Sequence, residues 1–167
     1  MRSIGVIGAG NMGKSILGGL LKSKLIDANH IIASAKSDST IEKLKKEFNI
    51  KTTKSSKEVV EFSDIIIIGV KPYMYDDILE EIKDYINNSK IIITIAAGKN
   101  IESVEKIIGS DKKIVRTMPN TPSLVGEGMT AICHNKNINE EELDEIKLLF
   151  NSCGKSEVVG ETLFDAV

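Results

Sequence analysis

Cysteine, histidine and excess charge of one sign are all scarce in this 167-residue sequence, and each scarcity removes a class of function. The two cysteines, Cys133 and Cys153, form no C-x-x-C pair. That spells neither a disulfide framework nor a redox motif, and two structural thiols in a reducing cytoplasm are the expectation. The two histidines, His30 and His134, fall at the ends of expected strands with no other ligands nearby, so no metal is expected. A net charge of −2 gives no electrostatic footprint for nucleic acid or a membrane surface. No apolar run approaches the length that spans a bilayer, and the first apolar stretch is broken by glycine rather than patterned as a secretory leader. The remainder is 41% hydrophobic and 28% charged, the balance of a soluble globular protein, and the length fits one domain around one core.

What is present begins at once. Ile4-Gly-Val-Ile7 reads as a buried strand, Gly8-Ala9-Gly10-Asn11-Met12-Gly13 spells G-x-G-x-x-G, and an apolar-periodic helix follows. In such a turn the first glycine permits the tight bend, the second lets backbone approach a pyrophosphate, and the third lets the helix pack closely on the strand. The helix start then offers free N–H groups and a partial positive charge to a phosphate. The same letters fit a rival. Gly8 to Ser15 also spells G-x-x-x-x-G-K-S, in which Lys14 would reach the β/γ-phosphates and Ser15 would hold Mg²⁺. That motif needs an aspartate at the end of a later apolar strand. The apolar strands here run into Gly69-Val70-Lys71-Pro72 and Ala96-Ala97-Gly98, and Asp64 precedes its strand.

Along the chain, strands are expected over residues 3–7, 30–34, 51–53, 65–70, 91–95, 113–117, 129–133 and 155–159. Helices are expected over 11–22, 38–48, 56–62, 74–86, 101–108 and 140–150, with a further helix starting at Thr162. Asp38, Ser39 or Thr40 is the expected cap of the second helix, Ser55 or Ser56 of the third, and Asn139 of the sixth. Glu58 stands at capping-box spacing from Ser55. Alternating strands and helices predict an α/β fold, a doubly wound and mostly parallel sheet of the Rossmann type. Ligands on such sheets bind beyond the carboxyl ends of the strands. This selects the loops at Gly8–Gly13, Ser34–Ser37, Gly69–Tyr73, Ala96–Gly98 and Met118–Pro122, which are also rich in glycine, proline and small polar residues.

The loop after the second strand bears on which dinucleotide fits. NAD-preferring sites place an Asp or Glu there for the ribose hydroxyls. Here it reads Ser34-Ala35-Lys36-Ser37, with no carboxylate to repel a 2′-phosphate and with three side chains able to donate. The expected cofactor is NADP(H), with NAD(H) as the lesser alternative; Asp38 stands close enough to weaken the local positive field.

At these loops the sequence resembles the pyrroline-5-carboxylate reductases. The resemblance rests on Ile4–Gly13, on Ser63-Asp64 with the apolar run to Val70-Lys71-Pro72, on Ile95-Ala96-Ala97-Gly98, and on Arg116-Thr-Met-Pro-Asn-Thr-Pro122 followed by Gly126-Glu127-Gly128. The glycine fingerprint alone is common to many oxidoreductases; its combination with Val-Lys-Pro and Met-Pro-Asn-Thr-Pro is specific. The resemblance implies hydride transfer from NAD(P)H to the C=N bond of 1-pyrroline-5-carboxylate, giving L-proline, the last step of proline biosynthesis. It implies that Ile7 and Gly8, Ala9, Gly10, Asn11, Met12 and Gly13 hold the pyrophosphate, and that Ser34 and Lys36 meet the adenine-ribose phosphate. Gly69, Val70, Lys71 and Pro72 with Ile95, Ala96 and Ala97 would line the cofactor toward its nicotinamide. A family asparagine that touches cofactor and substrate falls on Ser56, a departure that leaves a hydroxyl in its place. Ser56, Asn120 and Thr121 are the positioning candidates for the small-molecule imine, and no residue is singled out as a catalytic acid or base.

The resemblance further implies that residues 1–160 are the NAD(P)-binding domain. Residues 161–167 would begin a linking helix to a helical dimerisation domain absent from this chain, so a homodimer or higher assembly is expected only with that domain. Two alternatives stay open: a non-catalytic NADP(H)-binding module, and another Rossmann-type dehydrogenase, against which the Met118–Pro122 motif leans.

Overall fold

Four isoleucines in a row, Ile65–Ile68, form a strand that must be covered on both faces, and they set the plan of the molecule. The computed structural model describes residues 2–120 and 126–166. Eight strands form one sheet: β1 (Ile4–Ile7), β2 (Ile31–Ser34), β3 (Lys51–Thr53), β4 (Ile65–Ile68), β5 (Ile91–Thr94), β6 (Lys113–Met118), β7 (Gly128–His134) and β8 (Gly154–Val158). Their order is β3-β2-β1-β4-β5-β6-β7-β8. All neighbouring pairs are parallel except β6 with β7. The chain therefore leaves β1 toward β2 on one side and returns beside it as β4 on the other, which makes a topological switch point at β1.

Six α-helices cover the faces: α1 (Asn11–Lys22), α2 (Asp38–Phe48), α3 (Ser56–Phe62), α4 (Tyr75–Ile82), α5 (Ile101–Ile108) and α6 (Glu140–Asn151). Ile65 and Ile67 join one apolar cluster with Ile16, Leu17 and Leu20 of α1 and Ile146 and Leu149 of α6. Ile66 and Ile68 join the other with Val59, Ile78, Leu79 and Val104 of α3, α4 and α5. Each isoleucine so buried contributes about 1.5–3 kcal/mol relative to exposure.

Several local expectations are corrected. The cap of α2 is Ser37, whose Oγ accepts the Thr40 N–H at 3.2 Å; Asp38, Ser39 and Thr40 lie inside the helix. Four capping-competent residues in a row hide which one turns the chain. The expected 74–86 helix is three pieces: a 3₁₀ turn Pro72–Met74, α4, and a 3₁₀ turn Lys83–Tyr85. The proline fixes the entry. β2 begins at Ile31 because His30 closes a 3₁₀ turn onto the Asp27 carbonyl. The segment Glu161–Ala166 is 3₁₀ rather than α. It is pinned by Glu161, whose Oε1 accepts both the Ile101 N–H at 2.8 Å and the Arg116 Nη1 at 3.1 Å. The capping box at Ser55 is relayed. Ser55 accepts the Glu58 N–H, but the Glu58 carboxylate takes the Thr53 hydroxyl, and Thr53 in turn accepts the Ser55 N–H.

Candidate functional site

β1 ends in a turn that only glycine can make at its first position. Gly8 has φ +80°, and a Cβ there would stand 2.6 Å from Val70 Cγ1. The Gly8 and Ala9 N–H groups both donate to the Ser34 carbonyl at 3.2 Å, clasping the ends of β1 and β2. Gly13 lies on the inner face of α1, where a Cβ would be 3.3 Å from Val6 Cγ1. Gly10 differs from both. Its φ is −80°, an ordinary value, and a Cβ there would meet nothing within 4 Å. Gly10 is also the N-cap of α1 and supplies no side-chain acceptor. The N–H groups of Asn11, Met12 and Gly13 have no acceptor within the helix. The first turn of α1 holds no acid, so its dipole is uncompensated.

That open helix end faces a groove of about 610 Å³ along the carboxyl ends of β1 to β5, within the range of small-molecule sites. Its lining brings together Ile7, Gly8, Ala9, Gly10, Asn11 and Met12 with Ser34, Lys36 and Ser56, and also Gly69, Val70, Lys71, Pro72, Ile95, Ala96 and Ala97. Of the residues expected at the cofactor, Gly13 alone is outside the lining, behind the turn where it packs. Ser34 and Ser56 are buried and Lys36 is exposed. Asn120 is not in the lining, and its Oδ1 accepts the Met129 N–H of β7 at 3.0 Å. Thr121 lies outside the described residues.

The structure adds members that the sequence did not nominate: Ala35, Thr40, Lys54, Met74, Ile78 and Glu81 also line the groove. Lys54 follows β3, and the strand-end rule would have selected it had the third strand's loop been treated like the others. Its ammonium stands 2.8 Å from Asp38 Oδ1. That hydrogen bond, with the lysine's charge, holds the Asp38 carboxyl below its ordinary value. Asp38 is thus engaged by Lys54, and Lys36 has no ion-pair partner among the described residues. Ser37, a further expected donor, is occupied inside the α2 turn, donating to Thr40 Oγ1 at 2.8 Å.

From the sequence, Tyr75 stands only as one position within the expected 74–86 helix. Fully buried at the start of α4, it donates its hydroxyl to the Ile68 carbonyl and accepts the Ile95 N–H at 3.1 Å. Burial raises its pKa far above the usual phenol range. One side chain thereby joins the ends of β4 and β5, the strands that lead into Val70-Lys71-Pro72 and Ala96-Ala97.

The triphosphate-binding alternative fails on geometry. In that motif the residues between the two glycines form the phosphate loop. Here Asn11, Met12 and Gly13 are already helical. Lys14 and Ser15 sit in the second turn of α1 and line a different groove, with Lys22, Phe48 and Ser152. Cys133 and Cys153 are buried free thiols, and burial pushes Cys133 up to about 12. His134 Nδ1 lies 2.8 Å from the Asn135 carbonyl, and no cluster of metal-ligating side chains occurs among the described residues. No helix among them is long and apolar enough to cross a membrane.

Comparison with known proteins gives a consistent result. A family model described as NADP oxidoreductase, coenzyme F420-dependent, matches residues 3–98, more than half of the chain. The chain is 36% identical to the pyrroline-5-carboxylate reductase of Escherichia coli (strain K12) over 166 residues, 99% of this chain and 62% of the relative. It is 40% identical to that of Aquifex aeolicus (strain VF5) over 165 residues, 98% of this chain and 59% of the relative. The solved pyrroline carboxylate reductase of Plasmodium falciparum with NADP bound superposes with a TM-score of 0.88 at 34% identity, over 98% of this chain and 60% of that one. The chain thus spans about three fifths of the length of the relatives it matches.

Proposed function

The chain belongs to the family described as NADP oxidoreductase, coenzyme F420-dependent, and from that premise we propose that it is the cofactor-binding part of a pyrroline-5-carboxylate reductase. The observation that carries the proposal is Gly10. Neither its backbone angles nor its packing requires a glycine, and a Ser, Asp or Asn would cap α1 better by a few tenths of a kcal/mol. What the missing side chain leaves is an uncapped helix start, open to the groove. A pyrophosphate fits that space chemically, because it accepts from the orphan N–H groups and matches the helix dipole. NAD(P)H held there supplies the hydride that reduces the C=N bond of 1-pyrroline-5-carboxylate to L-proline.

The chain's own residues do the holding. Asn11, Met12 and Gly13 donate backbone N–H groups to the pyrophosphate. Ser34 and Lys36 bind the adenine-ribose end, and Lys36, lacking a counter-ion among the described residues, favours NADP(H) over NAD(H). Val70, Pro72, Ile95 and Ala96 give the nicotinamide end an apolar wall that keeps water from the hydride path. Ser56 orients the ring with its hydroxyl. A protonated cyclic imine is already electrophilic, so the protein's task is placement rather than acid catalysis.

Residues 1–160 form this cofactor domain, and residues 161–167 start a connecting segment. A helical part joined through it would complete the imine pocket and form the dimer. The buried free thiols suit a cytoplasmic location.

Titration with NADPH, NADH and ATP·Mg²⁺, following nicotinamide fluorescence and competition, tests the reading. Tighter binding of NADPH than NADH is expected, with no binding of ATP·Mg²⁺. Binding of ATP·Mg²⁺ alone, or of none of the three, overturns it.

A further inference from the structure

Two lysines line the same end of the groove, and they arrive from different strands. Lys36 follows β2 and Lys54 follows β3. The parallel register sets Ser34 beside Thr53, and the Ala35 N–H donates to the Thr53 carbonyl at 3.2 Å, so the two loops leave the sheet side by side. Thr40, on the first turn of α2, lines the groove between them in sequence. Lys36 has no partner among the described residues, whereas Lys54 is held 2.8 Å from Asp38 Oδ1.

We propose that Lys54 is a second ligand for the 2′-phosphate of NADP(H), and that Asp38 is an internal counter-ion which parks the Lys54 ammonium until that phosphate takes it over. This rests on the nucleotide reading of the groove and goes beyond it. The charges support the exchange. Two lysines and one aspartate leave a single unbalanced positive charge in the nucleotide-free chain. A phosphomonoester brings about −1.5 to −2 at neutral pH, which matches both lysines only if Lys54 leaves Asp38. The exchange is easy on both sides. The Lys54 side chain is 58% exposed on a flexible stem, and exposed ion pairs bind weakly. Asp38 is the first residue of α2, so its carboxylate keeps a favourable place at the helix N-terminus once Lys54 has gone. NAD(H), which has a hydroxyl in place of the phosphate, offers Lys54 nothing to exchange for and leaves the pair intact. Discrimination therefore arises from a paired lysine beside an unpaired one, not from Lys36 alone.

The test is calorimetric titration of the chain and of Lys54→Gln, Asp38→Asn and Lys36→Gln with NADPH and with NADH, each variant checked for fold by circular dichroism. For Lys54→Gln, NADPH binding should weaken about tenfold while NADH changes less than twofold, and the dependence of NADPH binding on salt should become shallower. For Asp38→Asn, NADPH binding should tighten about two- to fivefold with NADH unchanged. A Lys54→Gln variant whose NADPH-to-NADH ratio stays within twofold of the unsubstituted chain overturns the proposal, and the nucleotide reading stands if Lys36→Gln still lowers that ratio. Equal weakening of both nucleotides also overturns it, because that is the mark of a general surface charge. If the unsubstituted chain binds neither nucleotide, the underlying reading falls and this proposal with it.

Discussion

Helices α1 and α2 start at neighbouring strand ends on the same edge of the sheet, and they complete their first turns in opposite ways. α2 is closed by its own sequence: Ser37 accepts the Thr40 N–H, and Asp38 places a negative charge at the positive end of the helix. α1 has a glycine at the same place, no side-chain acceptor and no acid in the first turn. α3, α5 and α6 follow α2, with Ser55, Asn100 and Asn139 as caps, while α4, entered through the 3₁₀ turn Pro72–Met74, also lacks a side-chain cap. A chain that caps four helices with side chains has the means to cap a fifth. Its failure to do so at α1, beside the groove, marks where it leaves hydrogen-bonding capacity for something else. Five helices would obey the same rule if the ligand's phosphate were counted as the cap of α1.

The comparison breaks most visibly if α1 is made to resemble α2. Gly10→Ser supplies a cap and puts atoms into the open space beside the turn. Nucleotide affinity should fall at least 100-fold, about 2.7 kcal/mol. The melting temperature should hold or rise by about 1 °C at most, since serine exceeds glycine as an N-cap by only a few tenths of a kcal/mol. Unaltered binding by calorimetry would mean that the open helix end is not the phosphate site. The converse change at α2 should act on stability instead. Ser37→Ala removes the acceptor of the Thr40 N–H and should cost about 1 kcal/mol, lowering the melting temperature by about 2–4 °C. Nucleotide affinity should shift by less than about threefold, since the Ser37 hydroxyl is spent within its own turn. A large loss of affinity would return Ser37 to the binding site.

The smallest effect concerns Asp38. Its folded pKa lies below the ordinary 3.8 because Lys54 hydrogen-bonds and attracts it. A group with a depressed folded pKa stabilises the protein above its unfolded value and loses that contribution as pH falls through the lower folded value. The pair's contribution should thus be present and constant at neutral pH and be lost only in acid, as pH falls below the ordinary carboxylate range. An NMR titration of the Asp38 carboxyl should return to about that ordinary value in Lys54→Gln. An unchanged midpoint would remove Lys54 as its cause.

The sheet and the glycine turn were legible because their signals are local and repeated. An unbroken isoleucine run has few folds open to it, and G-x-G-x-x-G after a strand states its own geometry. The groove lining was legible for a different reason: the strand-end rule turns a one-dimensional order into one edge of a sheet. What escaped depended on contacts distant in sequence or on a choice among equals. Ser37, Asp38, Ser39 and Thr40 are chemically interchangeable as caps until the backbone picks one. Lys54 follows a third strand of three residues whose loop drew no attention, and the pairing of β2 with β3 brings that loop alongside the one that carries Lys36. Tyr75 gave no polar signal, because its hydroxyl finds partners seven and twenty residues away.

The Tyr75 crossbar has an energetic consequence for binding. Because one phenol is bonded to the end of β4 and to the start of the loop after β5, the two segments that wall the inner groove share a tether and cannot open independently without stranding a buried polar group. Those two walls are therefore tied to each other before any ligand arrives. Ordering a loop costs about 1–2 kcal/mol of backbone entropy per residue fixed, and a wall already fixed spares the ligand that expense. Affinity that another protein would draw from more contacts is here supplied in advance by preorganisation, stored during folding in the hydroxyl of a single buried side chain.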